Sequence, residues 1–219
     1  MSQWRAMVAS HSSSPTGRTE NRLKPQSPSP WRLPSPRSLT YPAIGSQKLK
    51  RLYLLRHAKS SWGDPGLADH DRPLAPRGRE AARRMAVHMR QAKVRPALVL
   101  CSSARRTVQT YKAIAPVLGG SVEVSVEDDL YGASSAELLN RLRVLPERLE
   151  GVLVVGHNPG LGDLAMELAG DGDPAGLALL HEKFPTGALA TLRLPGRWAK
   201  LSPGQAYLES LVVPRDLAR

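Results

Sequence analysis

Three short stretches hold residue types that chemistry can use. Arg56-His57-Ala58-Lys59-Ser60 follows the apolar run RLYLL (51–55). Ser102-Ser103-Ala104-Arg105-Arg106-Thr107 follows ALVLC (97–101), and Gly156-His157-Asn158-Pro159-Gly160 follows VLVV (152–155). A guanidinium presents forked N–H donors that match phosphate oxygens two at a time. A neutral imidazole is a nucleophile able to form a covalent intermediate. A second imidazole can donate a hydrogen bond to a phosphoryl oxygen as charge develops. Two histidines and at least two arginines at one point therefore describe a phosphoryl-transfer centre that needs no metal.

Such a centre forms only if the three runs are neighbouring strands pointing the same way. Each run is continuously apolar, as expected for a strand covered on both faces. Between them lie helical patterns. RGREAARRMAVHMRQA (77–92) places Ala82, Met85, Ala86 and Met89 on one face. ARRTVQTYKAIAPVLG (104–119) predicts a helix stopped by Gly119 and Gly120, and SAELLNRLRVL (135–145) one opened by a Ser134/Glu137 capping box. PGLGDLAMELAG (159–170) predicts a fourth, with Pro159 in its first turn and Gly170 past its end. VEVSV (122–126), ALATLRL (188–194) and AYLESLVV (206–213) read as further strands. Strands alternating with helices predict an α/β fold with a mostly parallel sheet covered on both faces. In open α/β sheets, ligands sit at the carboxyl ends of strands, where these residues lie.

The chain has 219 residues and a formal net charge of +12. Half of that excess lies in residues 1–48, where seven Lys/Arg face the single acid Glu20 among ten Ser and seven Pro. That segment reads as a disordered basic tail, with an over-long start or an organelle transit peptide as alternatives. The domain is expected over 49–213, with a short tail at 214–219. No RNA- or DNA-reading module is visible, so nucleic acid is not an expected partner. No apolar run nears the length that spans a bilayer, so neither is membrane. The one cysteine, Cys101, excludes an internal disulfide and reads as a buried small hydrophobe. The protein is expected to be cytoplasmic, or in a plastid-like organelle if residues 1–48 are a transit peptide.

LLRHAKS, SSARRTVQT and VVGHNPGLGDL together resemble the histidine phosphatase superfamily, also called phosphoglycerate mutase-like. RHAKSSWGDPGLADHDRPLAPRGR and KFPTGALATL are similar to its small phosphohistidine phosphatases of the SixA type. The resemblance runs over roughly residues 49–213. It implies a three-layer α/β/α sandwich. It makes His57 the nucleophile, phosphorylated in the course of the reaction, with Arg56 clamping the phosphoryl group. Arg106, rather than Arg105, matches the family's second arginine, because it precedes the small residue of S-x-x-x-R-[AT]-x-Q-T. His157 becomes the second histidine of the phosphate pocket, with Ser60 and Asn158 as neighbours.

The general acid used by relatives that cleave phosphate esters has no clear counterpart, Asp128 and Asp64 being the candidates. A phosphohistidine's imidazole leaves more readily than an alkoxide, so an acid without a clear counterpart is weak evidence for P–N over P–O substrates. The implied partner is a phosphorylated protein, such as a phosphotransfer domain of a signalling relay, or a small phosphorylated molecule. No cofactor or metal is implied, and a monomer is expected. His70 reads as a loop or rim residue, with Asp71 and Arg72 as a local ion pair. Two other readings compete. One is a non-catalytic phosphoprotein-binding module. The other is a dinucleotide fold built on Gly160-Leu161-Gly162-Asp163-Leu164-Ala165, disfavoured because four residues separate that motif from its strand.

Overall fold

A computed structural model describes residues 49–120 and 122–217. The expected basic tail, residues 1–48, lies outside the described residues. The strands are β1 (Lys50–Arg56), β2 (Leu98–Ser102), β3 (Glu123–Glu127), β4 (Gly151–Gly156), β5 (Ala169–Gly172), β6 (Leu189–Leu194) and β7 (Ala206–Val212). The helices are α1 (Pro76–Gln91), α2 (Arg105–Ile114), α3 (Ser135–Arg143), α4 (Gly160–Leu168) and α5 (Pro174–Glu182).

The seven strands form one sheet in the order β3-β2-β4-β1-β6-β7-β5. β3, β2, β4 and β1 are mutually parallel, while β6 runs antiparallel to both β1 and β7. β5 closes the far edge parallel to β7. The mostly parallel α/β sheet is therefore as expected, with an antiparallel strand, β6, set between β1 and β7.

The continuous apolar runs have the expected cause. Along β1, Leu52 and Leu54 enter a core shared with Leu138, Leu142 and Leu164 of α3 and α4. Tyr53 and Leu55 enter the opposite core, with Met85 and Met89 of α1 and Ile114 of α2. Both side-chain rows are buried because helices cover both faces. The helical stripe of α1 is buried at all four expected positions, Ala82, Met85, Ala86 and Met89.

Three element expectations change. The α-helix expected over 104–119 ends at Ile114, and Ala115–Val117 continues as a 310 turn. Pro116 is the reason: it lacks an N–H and crowds the carbonyl four residues back. Gly170 does not follow a helix into a loop but lies in β5, where an added Cβ would come within 1.9 Å of the Gly204 carbonyl oxygen. α5 was not expected, although Asp173 caps it by accepting from Gly176 N at 2.7 Å and Pro174 fills its first position. The capping box of α3 forms as predicted, with both Ser134 and Glu137 taking part. Pro214–Asp216 forms a 310 turn with Pro214 buried.

Candidate active site

The register of β1 against β4 brings the two histidines together. Arg56 pairs with Gly156, so the next residue of each strand, His57 and His157, emerges side by side. His57 N donates to Gly156 O at 3.0 Å, and the two rings lie 5.1 Å apart, centre to centre. β2 adds Ser102 from the other side of β4, and α2 begins three residues later with Arg105 and Arg106.

Each ring has a defined hydrogen-bonding state. His57 Nδ1 lies 2.8 Å from Ala58 O. A carbonyl only accepts, so Nδ1 carries the proton and Nε2 keeps a free lone pair. His157 Nδ1 lies 3.3 Å from Arg106 Nη2, which only donates, so that nitrogen accepts. His157 Nε2 then carries the proton and donates to Ser102 Oγ at 2.9 Å. Both rings are buried, with 8% of each residue exposed. Burial lowers the pKa of His57 to about 4, helped by the Arg106 and Arg56 charges. Burial, then His57 and Arg106, lowers His157 to about 3. At neutral pH both are uncharged.

The arginines are placed from different elements. Arg56 Nη1 donates to Phe184 O at 2.7 Å, and its buried Nε has no hydrogen-bond partner among the described residues. Asn158 Nδ2 donates to the same carbonyl at 3.1 Å, and its buried Oδ1 has no partner among the described residues. Gly187 N donates to both Arg56 O and His57 O at 3.0 Å. The KFPTG segment is thus a backbone brace across the ends of β1 and β4. Gly187 sits at φ +76°, a conformation suited to glycine.

Arg106 points inward and is buried, while Arg105 is exposed and reaches only Asp71 O at 3.5 Å. The SSARRTVQT motif has a physical content beyond Arg106. Thr107 Oγ1 donates to Ser102 O at 2.8 Å. Thr110 Oγ1 donates to Arg106 O at 2.7 Å and accepts from Ala58 N at 3.0 Å. Gln109 Oε1 accepts from Leu74 N at 2.7 Å. The motif therefore ties α2 to both ends of the segment that joins β1 to α1.

Arg56, His57, Arg106 and His157 converge; the other expected neighbours do not all join them. Ser60 Oγ accepts from Arg72 Nη2 at 2.9 Å and supports the loop. Asp64 closes an exposed turn by accepting from Gly66 N at 3.0 Å. Asp128 lies exposed in a 310 turn. The carboxylate at the site is Asp69, which the sequence reading passed over. Its Oδ2 accepts from Arg106 Nη2 at 2.8 Å and from Tyr131 OH at 2.9 Å, and its Oδ1 from Arg72 Nη1 at 2.7 Å. Burial opposes its ionisation, but the Tyr131 and Arg106 hydrogen bonds outweigh that and hold its pKa at about 2. The expected Asp71–Arg72 pair is corrected accordingly. Arg72 pairs with Asp69, three residues back, and Asp71 Oδ1 lies 3.3 Å from His70 Nδ1. The signal for Asp69 was that i, i+3 spacing to Arg72 within ADHDRPL.

Two neutral imidazoles, one with a free lone pair, lie beside two guanidiniums at the carboxyl ends of parallel strands. Residues 52–137 match the model of the histidine phosphatase superfamily (branch 1). An uncharacterised protein of Mycobacterium tuberculosis strain H37Rv is 39% identical over 163 residues, covering 74% of this chain and 100% of that protein. The chain belongs to the histidine phosphatase superfamily. Among solved structures, a candidate phosphohistidine phosphatase SixA of Nakamurella multipartitia is 32% identical, with a TM-score of 0.63 over 76% of this chain and 96% of that one. A candidate SixA of Agrobacterium tumefaciens is likewise 32% identical, with a TM-score of 0.62 over 75% and 98%. The protein is a phosphatase of this superfamily, of SixA type. Among the described residues, no helix is long and apolar enough to cross a membrane.

Cys101 stands apart from this chemistry. It is buried, and burial raises its thiol to about 12, so it stays protonated.

Proposed function

We propose that this phosphatase works through a covalent phosphohistidine on His57 and removes phosphate from protein phosphohistidine. The observation that carries the reading is the tautomer of His57: Nδ1–H is held by Ala58 O, which leaves the Nε2 lone pair free within reach of the Arg56 and Arg106 charges. His57 Nε2 attacks phosphorus in line, and the substrate's leaving group departs. Arg56 and Arg106 hold the phosphoryl oxygens. As Arg106 turns to the arriving dianion, His157 Nδ1 takes a proton from solvent, holds it toward the developing charge and returns it to solvent when phosphate leaves. Water attacks the phosphorylated ring in the second step and restores His57.

The SixA name of the two solved relatives supports a phosphohistidine substrate, as does the ionised state of Asp69, which leaves that carboxyl without a proton to give an alkoxide. The test is a phosphatase assay on a phosphorylated phosphotransfer domain beside a panel of phosphate esters. His57→Ala is expected to lose at least about 10³-fold in kcat. Full activity in that variant, or turnover of esters alone, contradicts the reading.

A further inference from the structure

We propose that Asp69 selects P–N over P–O substrates by accepting the N–H of the substrate's own imidazole, so that this ring leaves as neutral imidazole. The inference rests on the phosphohistidine reading above.

Asp69 stands in the 310 turn Asp69–Asp71, and its side chain is 52% exposed while that of its partner Arg106 is 9% exposed. The carboxylate thus lies on the solvent side of Arg106. His57 is buried, so a macromolecular substrate's leaving group must lie on that same open side during in-line attack. The groups around the carboxylate come from five segments: Arg72 of its own loop, Arg106 of α2, Tyr131 after β3 with His70 edge-on to its ring, His57 after β1 and His157 after β4. Two of its three side-chain hydrogen-bond partners, Arg72 and Arg106, are guanidiniums, which only donate. They hold Asp69 as an ionised acceptor. Oδ2 receives two hydrogen bonds and Oδ1 one, which leaves Oδ1 room for another donor.

The chemistry then balances without a protein acid. The substrate ring is bound as an imidazolium, phosphorylated on one nitrogen and protonated on the other, with that N–H directed to Asp69 Oδ1. His57 Nε2 forms a bond to phosphorus. The substrate's P–N bond breaks, and its electron pair returns to the ring nitrogen. The ring keeps its other proton and leaves neutral. His57 now carries the phosphoryl group on Nε2 and its own proton on Nδ1. Water adds to phosphorus, the P–Nε2 bond breaks, and both water protons leave with dihydrogen phosphate. An alkyl ester has no such second nitrogen; its alkoxide needs a proton that ionised Asp69 does not hold.

The test compares full-length wild type, Asp69→Asn and Asp69→Glu across pH. The substrates are a phosphohistidine peptide and p-nitrophenyl phosphate, whose leaving group needs no acid. A neighbouring anion raises an imidazolium pKa by about 1–3 units. Asp69→Asn is therefore expected to move the alkaline limb of kcat for the peptide at least about one unit toward lower pH. Its rate above that limb falls about tenfold or more relative to p-nitrophenyl phosphate. Asp69→Glu is expected to restore the limb. An equal loss on both substrates with an unmoved limb overturns the inference and leaves Asp69 as a prop for Arg106. Failure of wild type to turn over the phosphohistidine peptide overturns the proposed function as well.

Discussion

A histidine held as His57 is held can attack only through Nε2, because its other nitrogen is committed to Ala58 O. The same burial that frees the lone pair also keeps it free in acid. NMR of the imidazole nitrogens is expected to find His57 neutral to about pH 5 and titrating at about 4; a midpoint near the ordinary value of 6.5 contradicts this. The sign for stability follows. Unfolded histidine takes up its proton as pH falls through about 6.5, whereas folded His57 and His157 wait until about 4 and about 3. Between those values the unfolded chain binds more protons, so stability falls with falling pH, and urea unfolding at pH 7 and 4.5 should record the drop. Arg106→Ala is expected to lose about 10²-fold or more in kcat/KM, and Arg105→Ala little, since only Arg106 is inward. Arg56, His57, Arg106 and His157 were legible because each follows or nearly follows an apolar strand. Asp69 was not, because it lies in an irregular loop and gains its meaning from Arg106 and Tyr131, 37 and 62 residues away in sequence.

The elements set the site by close approach. Gly78 of α1 lies so near the chain after β1 that an added Cβ would stand 2.1 Å from Lys59 O. Gly78→Ala must push back the segment that follows His57. The expected cost is about 1–3 kcal/mol in stability with a fall in kcat, read by denaturant unfolding and phosphatase assay. Gln109 tests the α2 latch. Gln109→Leu keeps the bulk but strands Leu74 N, at a cost of about 1–3 kcal/mol, and loosens the loop holding Asp69 and Arg72. Helix periods and caps announced α1 and α3 in the sequence. β5 was hidden, because AGDG has the composition of a turn and becomes a strand only through pairing with β7. Pro116 ended the α2 helix early by a rule that the longer apolar pattern obscured.

At the scale of the whole described domain, one sheet serves two main cores, and its carboxyl edge carries the candidate site. Three continuously apolar strands, β1, β2 and β4, all parallel, made that architecture readable. The direction of β6 was not readable, since the same apolar residues suit either pairing. The excess of cations gives one further expectation: attraction of an anionic substrate raises kcat/KM at low salt, so kcat/KM should fall as ionic strength rises while kcat changes less. The central claim, however, is covalent chemistry at His57. The most direct measurement is an acid-free rapid quench of the enzyme with substrate labelled in its phosphoryl group, followed by peptide mapping. The account predicts label on the peptide bearing His57, lost in His57→Ala. Active enzyme that never carries label, or label that persists in that variant, contradicts it.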